Sequence, residues 1–103
     1  MLRQTARARA DLIEIWTRLA EQNPDAADRL LDRIAARLEI LKDFPHAGTA
    51  LPALAPEARM LVEAPYLILY RADEEGVLLV RVLHGKREIG AALFAEGLDR
   101  PGE

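Results

Sequence analysis

Between Tyr66 and His84 the chain reads YLILYRADEEGVLLVRVLH, two runs of large aliphatic and aromatic residues divided by an acidic turn that ends in glycine. Each run is short, rich in strand-forming residues and bounded by breakers. Tyr66–Ala72 and Val77–His84, with Arg59–Glu63 before them, therefore read as three strands of an antiparallel meander punctuated by Pro65 and Gly76. A two- or four-membered turn centred on Glu74–Glu75 sets Ala72 opposite Val77 and Arg71 opposite Leu78. Alternation then sorts the side chains. One face holds Leu67, Leu69, Leu78, Val80 and Val82, with Arg71 and His84 at its ends. The other holds Tyr66, Ile68, Tyr70, Val77, Leu79, Arg81 and Leu83. The first face, aliphatic throughout its centre, is expected to pack on helices. The second has no further helix to cover it, so it is expected to be covered by another chain.

The helices precede this hairpin. Residues 2–5 are compatible with a short strand, and from Arg7 the apolar residues Ala8, Leu12, Ile15, Trp16 and Leu19 recur at helical spacing, with Thr5 as N-cap. Asn23-Pro24 ends that helix and starts a second, with Asn as cap, Pro in the first turn and Asp25 and Asp28 near the positive dipole end. The stripe Ala27, Leu30, Leu31, Ile34, Leu38 and Leu41 carries it to residues 42–44, and so short a break predicts an antiparallel helical hairpin. Arg29, Arg33 and Arg37 line its outer face, either as a solvated row moderated by Asp25 and Asp32 or as a strip for an anionic partner. Residues 45–58, with three prolines and Gly48, form a connection. Lys86–Phe94 reads as a short helical turn packing Ile89, Leu93 and Phe94 inward. Residues 96–103 are expected to fray as a flexible tail, leaving 1–95 as a single domain.

Composition narrows the chemistry. A chain of 103 residues, 50% apolar and 30% charged, is one globular domain. It has neither cysteine nor serine, which excludes disulfides, thiolate zinc sites and a Ser or Cys nucleophile. Its two histidines, His46 and His84, are too few and too far apart to suggest a metal cluster, and the acids Glu63, Asp73, Glu74 and Glu75 read as turn residues facing water. No catalytic group, metal or cofactor is expected. A net charge of −3 argues against direct nucleic-acid binding. No segment is long and apolar enough for a membrane helix, and the arginines of residues 1–10 lack a following apolar run, so a cytoplasmic protein is expected.

Five pieces in order resemble the ParE toxins of the ParE/RelE superfamily. They are Asp11-Leu12-x-x-Ile15-Trp16, Asn23-Pro24-x-Ala26-Ala27, Phe44-Pro45-x-x-Gly48, Tyr66-Leu67-Ile68-Leu69-Tyr70-Arg71, and Val80-Arg81-Val82-Leu83-His84-Gly85-x-Arg87-Glu88-Ile89. The resemblance covers residues 5–94 and implies an α+β fold, in which a helical hairpin packs on one face of a small, mainly antiparallel sheet. The implied order is β-α-α-β-β-β with a short C-terminal helix. It further implies a bacterial type II toxin–antitoxin module of the plasmid-stabilising, growth-inhibiting kind. The toxin would poison DNA gyrase by binding, without chemistry of its own. A cognate antitoxin, ParD-like or another small DNA-binding protein, would neutralise it by lying in the helix-hairpin groove and along the sheet. Two departures stand out: Thr5-Ala6 replaces the family's usual Ser- or Thr-Pro, and the first strand is short. They admit a decayed, non-toxic relative that still binds antitoxin.

The rival branch is a RelE-like nuclease that cleaves mRNA on the ribosome. His84 stands where YoeB-like nucleases have a histidine, but Gly85 follows where they carry tyrosine, and Leu67 occupies the place of their phosphate-clamping arginine. An acidic chain also suits a ribosomal nuclease poorly. The expected antitoxin-binding residues are Tyr66, Tyr70, Leu79, Arg81 and Leu83, with Arg81 gripping an antitoxin carboxylate. The candidate toxicity surface is Arg71, His84, Lys86 and Arg87. His84 reads equally as a strand-end side chain bonded to neighbouring backbone, Arg71 as a snorkelling strand end, and Lys86 and Arg87 as solvated or paired with Glu88. Trp16 and Tyr66 read as core and semi-core anchors.

Overall fold

The chain leaves its first strand, β1 (Leu2–Gln4), at Thr5, and that residue joins sheet to helix. Thr5 has extended backbone and caps α1 (Ala6–Ala20), its hydroxyl oxygen accepting from the Ala8 N–H at 3.0 Å. The same hydroxyl donates to the Val80 carbonyl at 3.0 Å, and the Thr5 N–H donates to the Leu79 carbonyl at 3.0 Å. All these groups are buried, so the cap also docks the helix start on the sheet. A computed structural model supplies these coordinates and describes residues 2–85 together with residues 94, 95 and 98.

Asn23 caps α2 (Pro24–Asp43), accepting from the Ala26 N–H at 3.1 Å, with Pro24 in the first turn where its missing N–H costs nothing. The two helices are followed by β2 (Thr49–Ala50), β3 (Ala58–Glu63), β4 (Tyr66–Asp73) and β5 (Gly76–His84). The five-stranded sheet has the order β1-β5-β4-β3-β2, with β1 parallel to β5 and the other pairs antiparallel. This is the expected α+β architecture, with β2 added inside the connection. Arg33 Nε reaches Glu63 Oε2 at 3.2 Å, and Arg37 Nη1 reaches the Val62 carbonyl at 3.0 Å. These two arginines thus tie α2 to the end of β3 rather than pairing with Asp25 and Asp32.

The β4–β5 turn has the expected register. Asp73 faces Gly76, Ala72 faces Val77 and Arg71 faces Leu78 across the Glu74–Glu75 loop, and Gly76 has a φ of 111°, which glycine adopts without strain. Further along, Tyr70 pairs with Leu79 but Leu69 pairs with Arg81, so Val80 is one residue too many. A bulge of this kind reverses the alternation beyond it. Val82 consequently joins the helix side and Leu83 the opposite side.

The assignment of the two sheet faces is corrected by the structure. Tyr66, Ile68, Tyr70, Val77 and Leu79 pack against Ala8, Ile15, Leu30, Ile34, Leu38 and Leu41 of the helices. The face of Leu69, Leu78 and Val80 points away from the hairpin. It is covered within the same chain by Leu51, Leu54 and Ala55 of the connection and by Phe94 and Leu98. Both faces are apolar, so hydrophobicity did not choose between them; the direction in which α1 leaves Thr5 did. Phe94 packs inward as expected, at 1% exposure, whereas Ile89 and Leu93 lie outside the described residues. Leu98, in the segment expected to fray, is partly buried against the same cluster.

Candidate functional site

β1 flanks β5 only from Val77 to Leu79, because the chain then turns into α1. The outer edge of β5 beyond that point is met by Asp11 of α1. Its carboxylate accepts from the Val82 N–H at 3.0 Å and, through both oxygens, from Arg81 Nε and Nη2 at 2.8 and 2.9 Å. The pair is bidentate and nearly dry, with side-chain exposures of 2% for Arg81 and 12% for Asp11. Arg81 is therefore engaged inside the chain. The expectation that it lies on a face without intramolecular cover is overturned by Asp11.

The rest of the expected antitoxin-binding set shares this burial. Tyr70 and Leu79 are fully buried, Leu83 nearly so, and Tyr66 is buried at the end of the helix-side core. Of the expected toxicity surface, His84 sits half-buried with its ring edge-on to Tyr66, centroids 5.5 Å apart at 78°. Arg71 is half-buried at the far, turn-proximal end of β4, so it and His84 belong to separate regions. Lys86 and Arg87 lie outside the described residues. Between α1 and the end of β5 opens a cavity of about 400 Å³ whose lining includes Arg7, Glu14, Arg18, Tyr66 and His84. Among the described residues, no group of three His, Asp or Glu side chains is placed to hold a metal ion.

The Phe44-Pro45-x-x-Gly48 piece acquires a physical role. The Tyr70 hydroxyl donates to the Pro45 carbonyl at 2.8 Å and accepts from the Gly48 N–H at 2.8 Å, while Arg59 Nη1 donates to the Gly48 carbonyl at 2.8 Å. Burial pushes the Tyr70 hydroxyl above its ordinary value of 10.0, opposed in part by the Gly48 N–H and the Arg59 charge. Position 48 must be glycine because a Cβ there would lie 2.6 Å from the Tyr70 oxygen. The clamp fastens the loop but leaves Phe44 66% exposed.

The resemblance implied a groove on the helical hairpin, but the residues that line it were not among the expected binding residues. Arg9, Leu12, Ile13, Trp16 and Leu31 line an apolar hollow of about 300 Å³ across α1 and α2. Ile13 is 61% exposed, and Trp16, expected in the core, lies at the surface with its Nε1–H donating to Asp28 Oδ1 at 2.9 Å. One signal was present: Ile13 is a large apolar residue off the buried stripe, beside a tryptophan on its margin.

Comparison with known proteins follows the same lines. The family model of the ParE toxin of the type II toxin–antitoxin system parDE matches residues 2–89. The toxin ParE3 of Caulobacter vibrioides is 31% identical over 84 residues, covering 81% of this chain and 84% of that protein. The toxin RelE2 of the same organism is 32% identical over 83 residues, covering 81% and 92%. Among solved structures, a chain of the chromosomal ParDE TA system from P. aeruginosa superposes with a TM-score of 0.68 at 23% identity, over 81% of this chain and 92% of that one.

Proposed function

Because the chain belongs to the ParE family of toxins of type II toxin–antitoxin systems, we propose that it inhibits DNA gyrase by binding and is neutralised by a cognate antitoxin seated in the hairpin groove. The observation that carries this reading is the groove itself. Ile13 and Trp16 are large apolar side chains held at the surface of α1 beside Leu31 of α2, the arrangement that accepts the apolar face of a partner helix or strand. A binding mode is further supported by Arg81. The one arginine of β5 is held by both carboxylate oxygens of Asp11 rather than projecting toward solvent.

Two assays test the proposal. Purified protein is expected to block supercoiling by gyrase and to leave ribosome-bound mRNA intact; normal supercoiling with cut mRNA would replace this reading by the RelE-like one. Inducing the chain alone in a bacterium is expected to arrest growth, and unimpaired growth would indicate a decayed toxin. In the groove, Ile13→Asp is expected to weaken antitoxin binding by on the order of tenfold or more while the unfolding midpoint stays put. Unchanged affinity would move the antitoxin elsewhere.

A further inference from the structure

The flank of α2 turned away from the groove carries two large apolar side chains at the surface, Ile40 at 50% exposure and Phe44 at 66%. Leu31 lines the groove, and Ile40 follows it by about two and a half helical turns, which places it on the opposite flank. With Asp43, Pro45, His46 and Ala47, these two side chains line a hollow of about 570 Å³. Phe44 is exposed yet firmly seated. Its N–H donates to the Ile40 carbonyl at 2.9 Å, and the carbonyl of the next residue, Pro45, accepts from the Tyr70 hydroxyl at 2.8 Å. Toward the N-terminus the same flank holds Arg37 and Arg33. Glu63 fixes both, its Oε1 at 3.4 Å from Arg37 Nη1 and its Oε2 at 3.2 Å from Arg33 Nε. Those contacts use the edges of the guanidinium groups. Their flat faces, on side chains 36% and 51% exposed, are the part that stacks on an aromatic ring.

We infer that this flank of α2 is a self-association surface, pairing antiparallel with the same flank of a second copy about an axis through Ile40. A closed contact between identical chains requires a patch complementary to itself. Ile40 meets the partner's Ile40 on the axis. Phe44 lies four positions after Ile40, so the partner's Phe44 falls at the height of Ala36, four positions before it. Ala36 is small and exposed and leaves room for the ring. Arg37 and Arg33 stand within about 5 Å of that height along the helix, given the rise of about 1.5 Å per residue. The patch thus carries cation and ring on opposite sides of one residue, as a symmetric contact needs. A polyanion fits it poorly, because Glu39, Asp43 and Glu63 border the arginines and the apolar pair. The groove lies on the other flank, so the contact leaves it open in both copies and does not rest on gyrase or antitoxin binding.

One flank of a single helix makes a contact at the small, transient end of interface sizes, so a dissociation constant on the order of 100 µM is expected. Sedimentation equilibrium of the isolated chain, run from roughly 10 µM to 1 mM to bracket that value, is expected to show monomers passing to dimers. Phe44→Ser and Ile40→Glu are each expected to weaken association about tenfold or more. Their denaturation midpoints at low concentration are expected to stay put, because both side chains are exposed in the monomer. Ile13→Asp, in the groove, is expected to leave association intact. A chain that stays monomeric throughout, or one dissociated by Ile13→Asp but not by Phe44→Ser, would overturn the proposal. The chain's lack of cysteine allows a test of register. Under mild oxidation Ile40→Cys, on the axis, is expected to be trapped as a disulfide-linked dimer about tenfold faster than Arg29→Cys, three turns away. Equal trapping rates would defeat the antiparallel pairing and the proposal with it.

Discussion

Arg81 shows how a single buried charge organises its surroundings. With both Asp11 oxygens on its guanidinium, it needs no outside anion, and the same carboxylate closes an otherwise open strand edge at Val82. Asp11→Ala would take a bidentate carboxylate away from a buried guanidinium and release that edge. The expected loss of stability is about 3–5 kcal/mol by chemical denaturation. Replacing both partners with apolar residues, Asp11→Leu with Arg81→Met, is expected to recover much of that loss. Tyr70 makes a second prediction, with a definite sign. Its hydroxyl is raised above 10.0 in the folded chain by burial, so the protonated form is favoured by folding. Its contribution is complete below pH 10 and is lost as the pH rises above 10 toward the folded value, because the unfolded chain releases its proton first. Stability measured across that window is expected to fall, and to fall less steeply in Tyr70→Phe.

At the scale of elements, the joints are made by caps and one bulge. Thr5 closes α1 and fastens it to β5 through one hydroxyl that donates to Val80 and accepts from Ala8. Thr5→Val keeps the shape and removes both bonds, with an expected cost of about 1–3 kcal/mol, whereas Thr5→Ser is expected to retain most of the stability. Thermal and urea unfolding of the two variants would check the difference. The sequence placed both helices and their caps because capping chemistry is local: Thr5, Asn23 and Pro24 act on residues three or four positions away. It also placed the β4–β5 turn. The bulge at Val80 was not legible. It coincides with the point where Thr5 takes the Leu79 and Val80 carbonyls and Asp11 takes the Val82 N–H. Those partners lie some seventy positions away, at separations of 71 to 75 for the two side-chain bonds.

At the scale of the molecule, the sheet is a layer covered on both sides. Helices cover one face; the connection, Phe94 and Leu98 cover the other. Phe94→Ala would open a cavity beneath Leu69, Leu78 and Val80, and is expected to destabilise the whole domain by about 3–5 kcal/mol, read as a lower denaturant midpoint. A minor effect would mean that the connection alone seals that face. Because both faces are covered, large apolar side chains left exposed among the described residues, Ile13, Trp16 and Phe44 included, lie away from β4 and β5.

Local patterning by itself determined the helical hairpin, the meander, the turn register and, through five spaced motifs, the family. Each depends on residues close in the chain, or on their order along it. Which sheet face met the helices, that Arg81 was already paired, and that Ile13 stood exposed were decided by tertiary structure alone. The physical reason is common to all three. Alternation tells which side chains share a face, but two apolar faces are equivalent until a distant hydroxyl or carboxylate fixes where the helix lies.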